Sequence, residues 1–581
     1  MKDFLFYIKD EHELTRSDLK SNEQYLNGSD ELKVYETKKY KFIHNINTKN
    51  GYFHYEDSSH YIYILGTPIY LGNQPKKYDK SYFCKMVLQG LLTNTKIDKI
   101  LSGPFVVVWI NKIKNEVHFI TDIMSFIPIY SYKKNCMIVS SHLDTLQKRV
   151  KSLAVDPASF VDLLINRTVV YPYTIFRDVY QIQPATNVIL FIEKKKTKKI
   201  PYWFPKEKEW YKNIKECKQD LKKIVVDKLK NVESTSDNNC VFLSAGEDSR
   251  VIISILDKTK LNKAVTFLEE KNLEHNISKD VVSKFNVNHE VIVRKKNHYI
   301  ENMNEILELI GPQDEVVNAH SFYLDHIANL SSFDNVFGGL KSDTYCKGHS
   351  IPKKDSFLNR IFSFESADDN HDEMDSIMSY KKYFDFSVLS ALKERYISHI
   401  DNVKTFRPKT FNEWYKIWPA SMDHDMSNFS VNRRLFNSVE IFLSNDVVKW
   451  ASKTPRKYRL NRKVFQKAFK PYLKSTKWII NPKGYLPYFS IIFNLPFRSI
   501  YKIKRRLLFF RKSEHQGPWP NWNEIVKGDT LLKLKSYVAK DCLHLENIIN
   551  FDNLDEFLDK MTGYQKMMFY QLLYYFNKEE K

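Results

Sequence analysis

Short apolar or alternating runs of strand length dominate the first 205 positions. They fall at 60–66, 105–109, 117–120, 137–140 and 186–192, separated by turn residues and polar loops, and predict a mostly β first part. From about Glu207 the period changes. Ile214, Cys217, Leu221, Ile224, Val225 and Leu229 recur at helical spacing within 213–230. A strand over 240–243, a helix over 250–256, a strand over 263–268, a helix over 277–285 and a strand over 289–293 follow. This is the βαβαβ rhythm of an open parallel sheet. Residues 300–470 read as largely helical with polar inserts, and the tail from about 490 as helical, basic and aromatic. The expected organisation is a first domain over 1–205, a second over 206–490 and a helical extension over 491–581 packing on the second.

Composition changes this picture little. No run of roughly 18 apolar residues occurs, so no transmembrane helix is expected. Met1-Lys2-Asp3-Phe4-Leu5 mixes charge too early for a secretory signal, and a cytoplasmic location is expected. Cys84, Cys136, Cys217, Cys240, Cys346 and Cys542 lack the paired spacing of a disulfide framework or zinc site. The net charge is +21, but Lys, Asn and Ile abound throughout, and nucleic-acid binding is not expected. The lysine run 194–199 reads as a solvated hairpin tip.

One loop carries chemistry. Val241-Phe242-Leu243 reads as a buried strand and Val251-Ile252-Ile253 as the opening of a helix, with Ser244-Ala245-Gly246-Glu247-Asp248-Ser249 between them. A strand end feeding a helix N-terminus presents N–H groups and a positive dipole end, which suits phosphate. Gly246 permits close backbone approach, Ser244 and Ser249 offer hydroxyls, and Asp248 can hold Mg²⁺. Neither a GxxxxGK[ST] nor a GxGxxG loop is present. Taken alone, the segment reads almost as well as a capped helix start.

The segment resembles the SGGxDS pyrophosphate loop of the asparagine synthetase-like N-type ATP pyrophosphatases, with Ala245 for the first glycine. That family's second acidic motif, GEGADELFGG, is similar to the segment from Gly339 to Gly348, with Asp343 on the central aspartate and Leu340 on the glutamate. The resemblance implies that Leu243, Ser244, Gly246, Asp248, Ser249, Gly338 and Gly339 bind ATP or its pyrophosphate. It also implies that Asp248 and Asp343 hold Mg²⁺. The segment from Phe442 to Val448 resembles the FLD helix entry, with Ser444 for aspartate. Asn481-Pro482-Lys483-Gly484-Tyr485-Leu486-Pro487 resembles RxKxGFxxP, which places Lys483 on the active-site lysine. Such a lysine can neutralise charge building on pyrophosphate and adenylate.

Residues 1–205 are similar to the family's N-terminal glutaminase at 103–109, 121–130, 140–146 and 174–184, but Lys2 stands where its nucleophilic Cys belongs. The resemblance therefore implies an α/β chain with an Ntn-hydrolase-like αββα sandwich, without glutamine hydrolysis, and a parallel α/β synthetase domain. The implied function is an AMP-forming carbon–nitrogen ligase using ATP and Mg²⁺ on a small-molecule or peptide carboxylate, attacked by an amine or ammonia. Leu340 moves weight from asparagine synthetase itself toward relatives resembling β-lactam synthetase or lasso-peptide cyclase. The alternative is a catalytically degenerate ATP-binding scaffold in a biosynthetic cluster; a third reading, tRNA thiolation, would need Cys346 to carry sulfur. The basic segment from Lys502 to Lys512 leaves peripheral membrane contact open beside the plainer reading of a solvated helix. A homodimer is also open.

Overall fold

The computed structural model describes residues 3–9, 32–46, 51–72, 80–132, 137–150, 153–208, 211–355, 365–368, 374–508, 519–540 and 545–579, with 52, 374, 375, 502–508 and 579 as backbone only. Lys2, Cys136, Cys542 and the side chains of the basic segment at 502–512 lie outside the described residues.

The β-rich first part forms two six-stranded antiparallel sheets. One runs in the order Val179–Gln181, Tyr130–Tyr132, Ile138–Ser140, Phe4–Ile8, Tyr40–Asn45 and Leu32–Glu36. The other runs Lys196–Pro201, Thr186–Phe191, Glu116–Thr121, Phe105–Asn111, His60–Gly66 and Tyr52–Glu56. Period-two alternation stacks them. Tyr61, Tyr63 and Leu65 enter the core between the sheets, while Ile62 and Ile64 point the other way, onto Phe83, Val87 and Leu88. Those three belong to the helix Lys80–Leu92, which covers one outer face. Phe4 meets Tyr63 edge-on, and Phe6 meets Phe119, across the sandwich. The helix Leu143–Arg149 packs beside Ile138–Ser140 on the far side. The lysine run divides between a tight turn, where Lys195 has φ 47°, and the exposed edge strand Lys196–Pro201. Charge along an edge strand discourages further strand pairing.

The second sheet system is parallel: His289–Val293, Leu261–Leu268, Asn239–Phe242, Asn335–Gly338 and Ser438–Glu440, in that spatial order. This is the expected mixed α/β class. The order runs outward in both directions from Asn239–Phe242, so the chain reverses its progress between that strand and Asn335–Gly338. Crevices open beyond the strand ends at such a switch point. The helix after Asn239–Phe242 starts at Glu247, three residues before the expected Arg250. Gly246 supplies an extended N-cap, and Glu247 and Asp248 in the first turn suit the positive end of the helix dipole. The expected helix over 277–285 is instead Leu273–Val282, because the Asn272 side chain caps it by accepting from the Glu274 amide.

Two features tie the halves together. Asp3, with no exposed surface, accepts two hydrogen bonds from Arg433 (2.9 and 2.7 Å), one from Arg434 (2.8 Å) and one from the Ser141 hydroxyl (3.1 Å). Burial would raise its carboxyl, but the two guanidiniums outweigh burial and hold it well below the usual range. The C-terminal helix Gly563–Glu579 touches both halves. Gln571 donates to Pro312 and Asp314 carbonyls, and the Tyr575 hydroxyl donates to Asp144 at 2.9 Å. No described helix is long and apolar enough to cross a membrane.

Candidate functional site

The loops that follow the two strands at the switch point face each other. In the first, two serines close the turn: the Ser249 hydroxyl donates to the Ser244 carbonyl at 2.9 Å, and the Ser244 amide donates to Ser249 Oγ at 3.1 Å. The Gly246 amide donates to Ser244 Oγ at 3.1 Å. Ala245 points inward, fully buried, and its amide donates to Glu274 at 2.6 Å. A methyl in place of hydrogen there meets the core rather than the crevice.

In the second loop the glycines have steric reasons. A Cβ on Gly338 would lie 2.2 Å from Glu440 Oε1, and one on Gly339 would lie 3.0 Å from the Asp248 Cβ. The pair thus lets two carboxylates come up against the backbone. Leu243, Ser244, Asp248, Ser249, Gly338 and Gly339 line one cavity of about 270 Å³, while Gly246 stands at the turn outside the lining. Asp343 and Lys483 line a neighbouring cavity of about 140 Å³ with Lys347, Arg462, Tyr485 and Arg498. A larger cavity, about 600 Å³, is lined by Ser332, Asp334, Asn335 and Asn437 at the opposite ends of the strands, away from these loops. Size therefore does not locate the site.

Arg250, absent from the sequence expectations, joins the parts. Its fully buried guanidinium donates to the Ala245 carbonyl at 2.9 Å and to the carbonyls of Ile479 and Ile480 at 2.7 and 3.1 Å. It thereby latches the serine loop to the segment that carries Lys483. In that segment Asn481 Oδ1 accepts from the amides of Lys483 (3.0 Å) and Tyr485 (3.2 Å), closing a local turn. Gly484 has φ +78°, and a Cβ there would lie 2.4 Å from the Tyr501 ring.

Three further residues escaped sequence reasoning. Glu440 ends the strand Ser438–Glu440 and lines the larger cavity, its Oε2 accepting from the Leu340 amide at 2.9 Å. Burial pushes its carboxyl up to about 7, with the Leu340 amide and Ser438 partly offsetting. Trp519 covers the same cavity, stacked on His320 with centroids 3.6 Å apart. Lys347 projects its ammonium to 2.7 Å from Asp248, 2.6 Å from Asp343 and 3.3 Å from Glu247. Burial pushes Asp248 up to about 6, with Lys347 opposing and Asp343 and Glu247 adding. Asp343 is held low chiefly by Lys347, with Lys483 adding. Glu440 had a signal in the sequence in its place just ahead of Phe442-Leu443, and Lys347 in standing where the second acidic motif has glycine.

The expected pair of carboxylates therefore converges, but on an ammonium. A divalent ion needs oxygens at about 2.0–2.1 Å and cannot share that point with Lys347. Asp248 and Asp343 as arranged do not fit a protein-held Mg²⁺ between them. Cys346 is fully buried, and burial pushes its thiol well above the ordinary range, the opposite of what sulfur transfer requires. Cys84, Cys217 and Cys240 are likewise buried, and none of them is in a disulfide.

A parallel sheet with a serine turn and a glycine–carboxylate loop at its switch point defines an α/β protein with helix-start N–H groups and carboxylates at one crevice. A curated protein from Methanocaldococcus jannaschii, described as a putative asparagine synthetase [glutamine-hydrolyzing] 2, is 24% identical over 268 residues, covering 42% of this chain and 50% of that protein. Over that stretch the chain is similar to an asparagine synthetase-like protein. It spans about half the length of the curated relative it matches. No family model matches. Two solved structures also align at 8% identity: the allosteric regulatory enzyme of purine biosynthesis (TM-score 0.22, 51% of this chain, 74% of that one) and glutamine phosphoribosylpyrophosphate amidotransferase from B. subtilis complexed with ADP and GMP (TM-score 0.23, 50% and 65%). Likenesses of that size carry no argument about the site.

Proposed function

We propose that the chain is an ATP-dependent, AMP-forming ligase that makes an amide from a carboxylate and an amine or ammonia. One observation carries the reading: six of the seven residues expected to bind nucleotide line a single cavity at the switch point, with Lys483 on the cavity beside it. In the first step a carboxylate oxygen attacks the α-phosphorus of ATP and pyrophosphate leaves. The serine turn holds the leaving pyrophosphate by its hydroxyls and helix-start amides. In the second step the amine attacks the acyl carbon, AMP leaves, and the nitrogen gives up a proton. Glu440 is the acceptor in reach of that cavity, its pKa near 7 being suited to proton transfer at neutral pH. Lys483 and its cationic neighbours offset charge on the phosphates. Nitrogen does not come from glutamine, because Lys2 offers no thiol.

Leu340 and Lys347 favour a second reading, a scaffold that binds ATP without turnover. Product analysis decides. With ATP and a panel of amino acids and short peptides, the ligase reading predicts AMP and pyrophosphate in equal amounts for at least one carboxylate, and no glutamate from glutamine. ADP with orthophosphate contradicts it. Tight ATP binding with no turnover across the panel establishes the scaffold.

A further inference from the structure

Lys347 occupies the ninth position of the segment that aligns with GEGADELFGG, where the motif has glycine. Its side chain is only 6% exposed, and its Nζ lies among three carboxylates from two loops, at 2.7 Å (Asp248), 2.6 Å (Asp343) and 3.3 Å (Glu247). The Phe465 ring lies 4.8 Å away. A surface ion pair holds neither partner in one place; a buried ammonium meeting three carboxylates does.

We propose that Lys347 is a resident cation that takes the divalent-metal position between Asp248 and Asp343. ATP then binds with no protein-held metal between these aspartates, and Mg²⁺ reaches the site only on the nucleotide's own phosphate oxygens. An ammonium carries one charge fewer than Mg²⁺. Arg462, paired with Glu247 at 2.7 Å, and Lys483 and Arg498 on the adjoining cavity supply cationic charge beside the same carboxylates. The inference rests on the reading of the crevice as a nucleotide site, but its test does not require nucleotide.

The test is Mn²⁺ uptake by the full chain without ATP, followed by electron paramagnetic resonance, in wild type, D343N, K347G and K347G/D343N. The expected result is no uptake by wild type that D343N removes, and a new site in K347G at least about tenfold tighter, lost in K347G/D343N. Uptake by wild type that D343N abolishes overturns the proposal, because Lys347 then yields to metal. Failure of folded K347G to bind Mn²⁺ also overturns it, because the aspartates are then not a cation site. If K347G does not fold, wild type and D343N decide alone: equal, negligible uptake supports the proposal, and uptake confined to wild type overturns it. Loss of the ligase reading would appear instead as absent AMP and pyrophosphate, with the Mn²⁺ result unchanged.

Discussion

Glu440→Gln is expected to lower amide formation about 10²–10³-fold while leaving nucleotide affinity nearly unchanged, because a positioned proton acceptor contributes on that order. Glutamine keeps an oxygen for the Leu340 amide but cannot take the proton from the attacking nitrogen. The wild-type rate should rise with pH through about 7, the value to which burial pushes this carboxyl, and the variant should lose that limb. The other titratable groups lining the cavity differ from it. Asp248 titrates near 6 with Lys347 beside it, Glu274 is raised by burial, and burial keeps His320 neutral. The sign for stability is opposite. A carboxyl raised from 4.5 binds its proton more tightly in the fold, so its contribution is full below 4.5 and is lost as pH rises through about 7. The variant should therefore gain up to about 3 kcal/mol over wild type at pH 8. A pH–rate profile and urea unfolding at two pH values check both parts. A variant with an unchanged profile removes Glu440 from the chemistry.

Asp3→Ala is the second large effect, on stability. It leaves Arg433 and Arg434 buried without their carboxylate, and breaking a buried ionic group from one side costs about 3–5 kcal/mol. Because Asp3 titrates well below 3.8 in the fold, its stabilisation is present above that value and is lost as pH falls through the lower, folded one. The wild type should lose more stability than the variant on acidification. Urea unfolding across pH 2.5–6 reads this; a cost under about 1 kcal/mol would show that the clamp contributes no more than a surface pair. The position has a further meaning. Through Arg433 and Arg434, Asp3 anchors the antiparallel sandwich to the parallel-sheet half.

Much of this was legible in the sequence because local patterns determined it. The alternation at 60–66 sends Tyr61 and Tyr63 one way and Ile62 and Ile64 the other, as found. Register along the chain singled out the serine loop, Asp343 and Lys483, which line two neighbouring cavities. What the sequence hid lies across it. Glu440 and Leu340 are a hundred positions apart, and only the adjacency of two parallel strands brings the carboxylate to the leucine's amide. Arg250 reads as an ordinary charged residue at a helix start, yet the Ile479 and Ile480 carbonyls it bonds are more than two hundred positions away. Lys347 lies inside the segment similar to the second acidic motif, but its partners are not adjacent in the chain. Its carboxylates come from its own turn and from a loop a hundred residues earlier, so no periodicity could show that it would take the place expected for Mg²⁺.

The central claim is that residues 244–249 grip the pyrophosphate end of ATP. Competition calorimetry between ATP and inorganic pyrophosphate, on wild type and Ser249→Ala, tests it without knowledge of the carboxylate. The account predicts a single shared site, with pyrophosphate displacing ATP and both weakened about tenfold or more when the Ser249 hydroxyl is removed. Binding of ATP that pyrophosphate does not displace, or equal affinities in the two proteins, would contradict it.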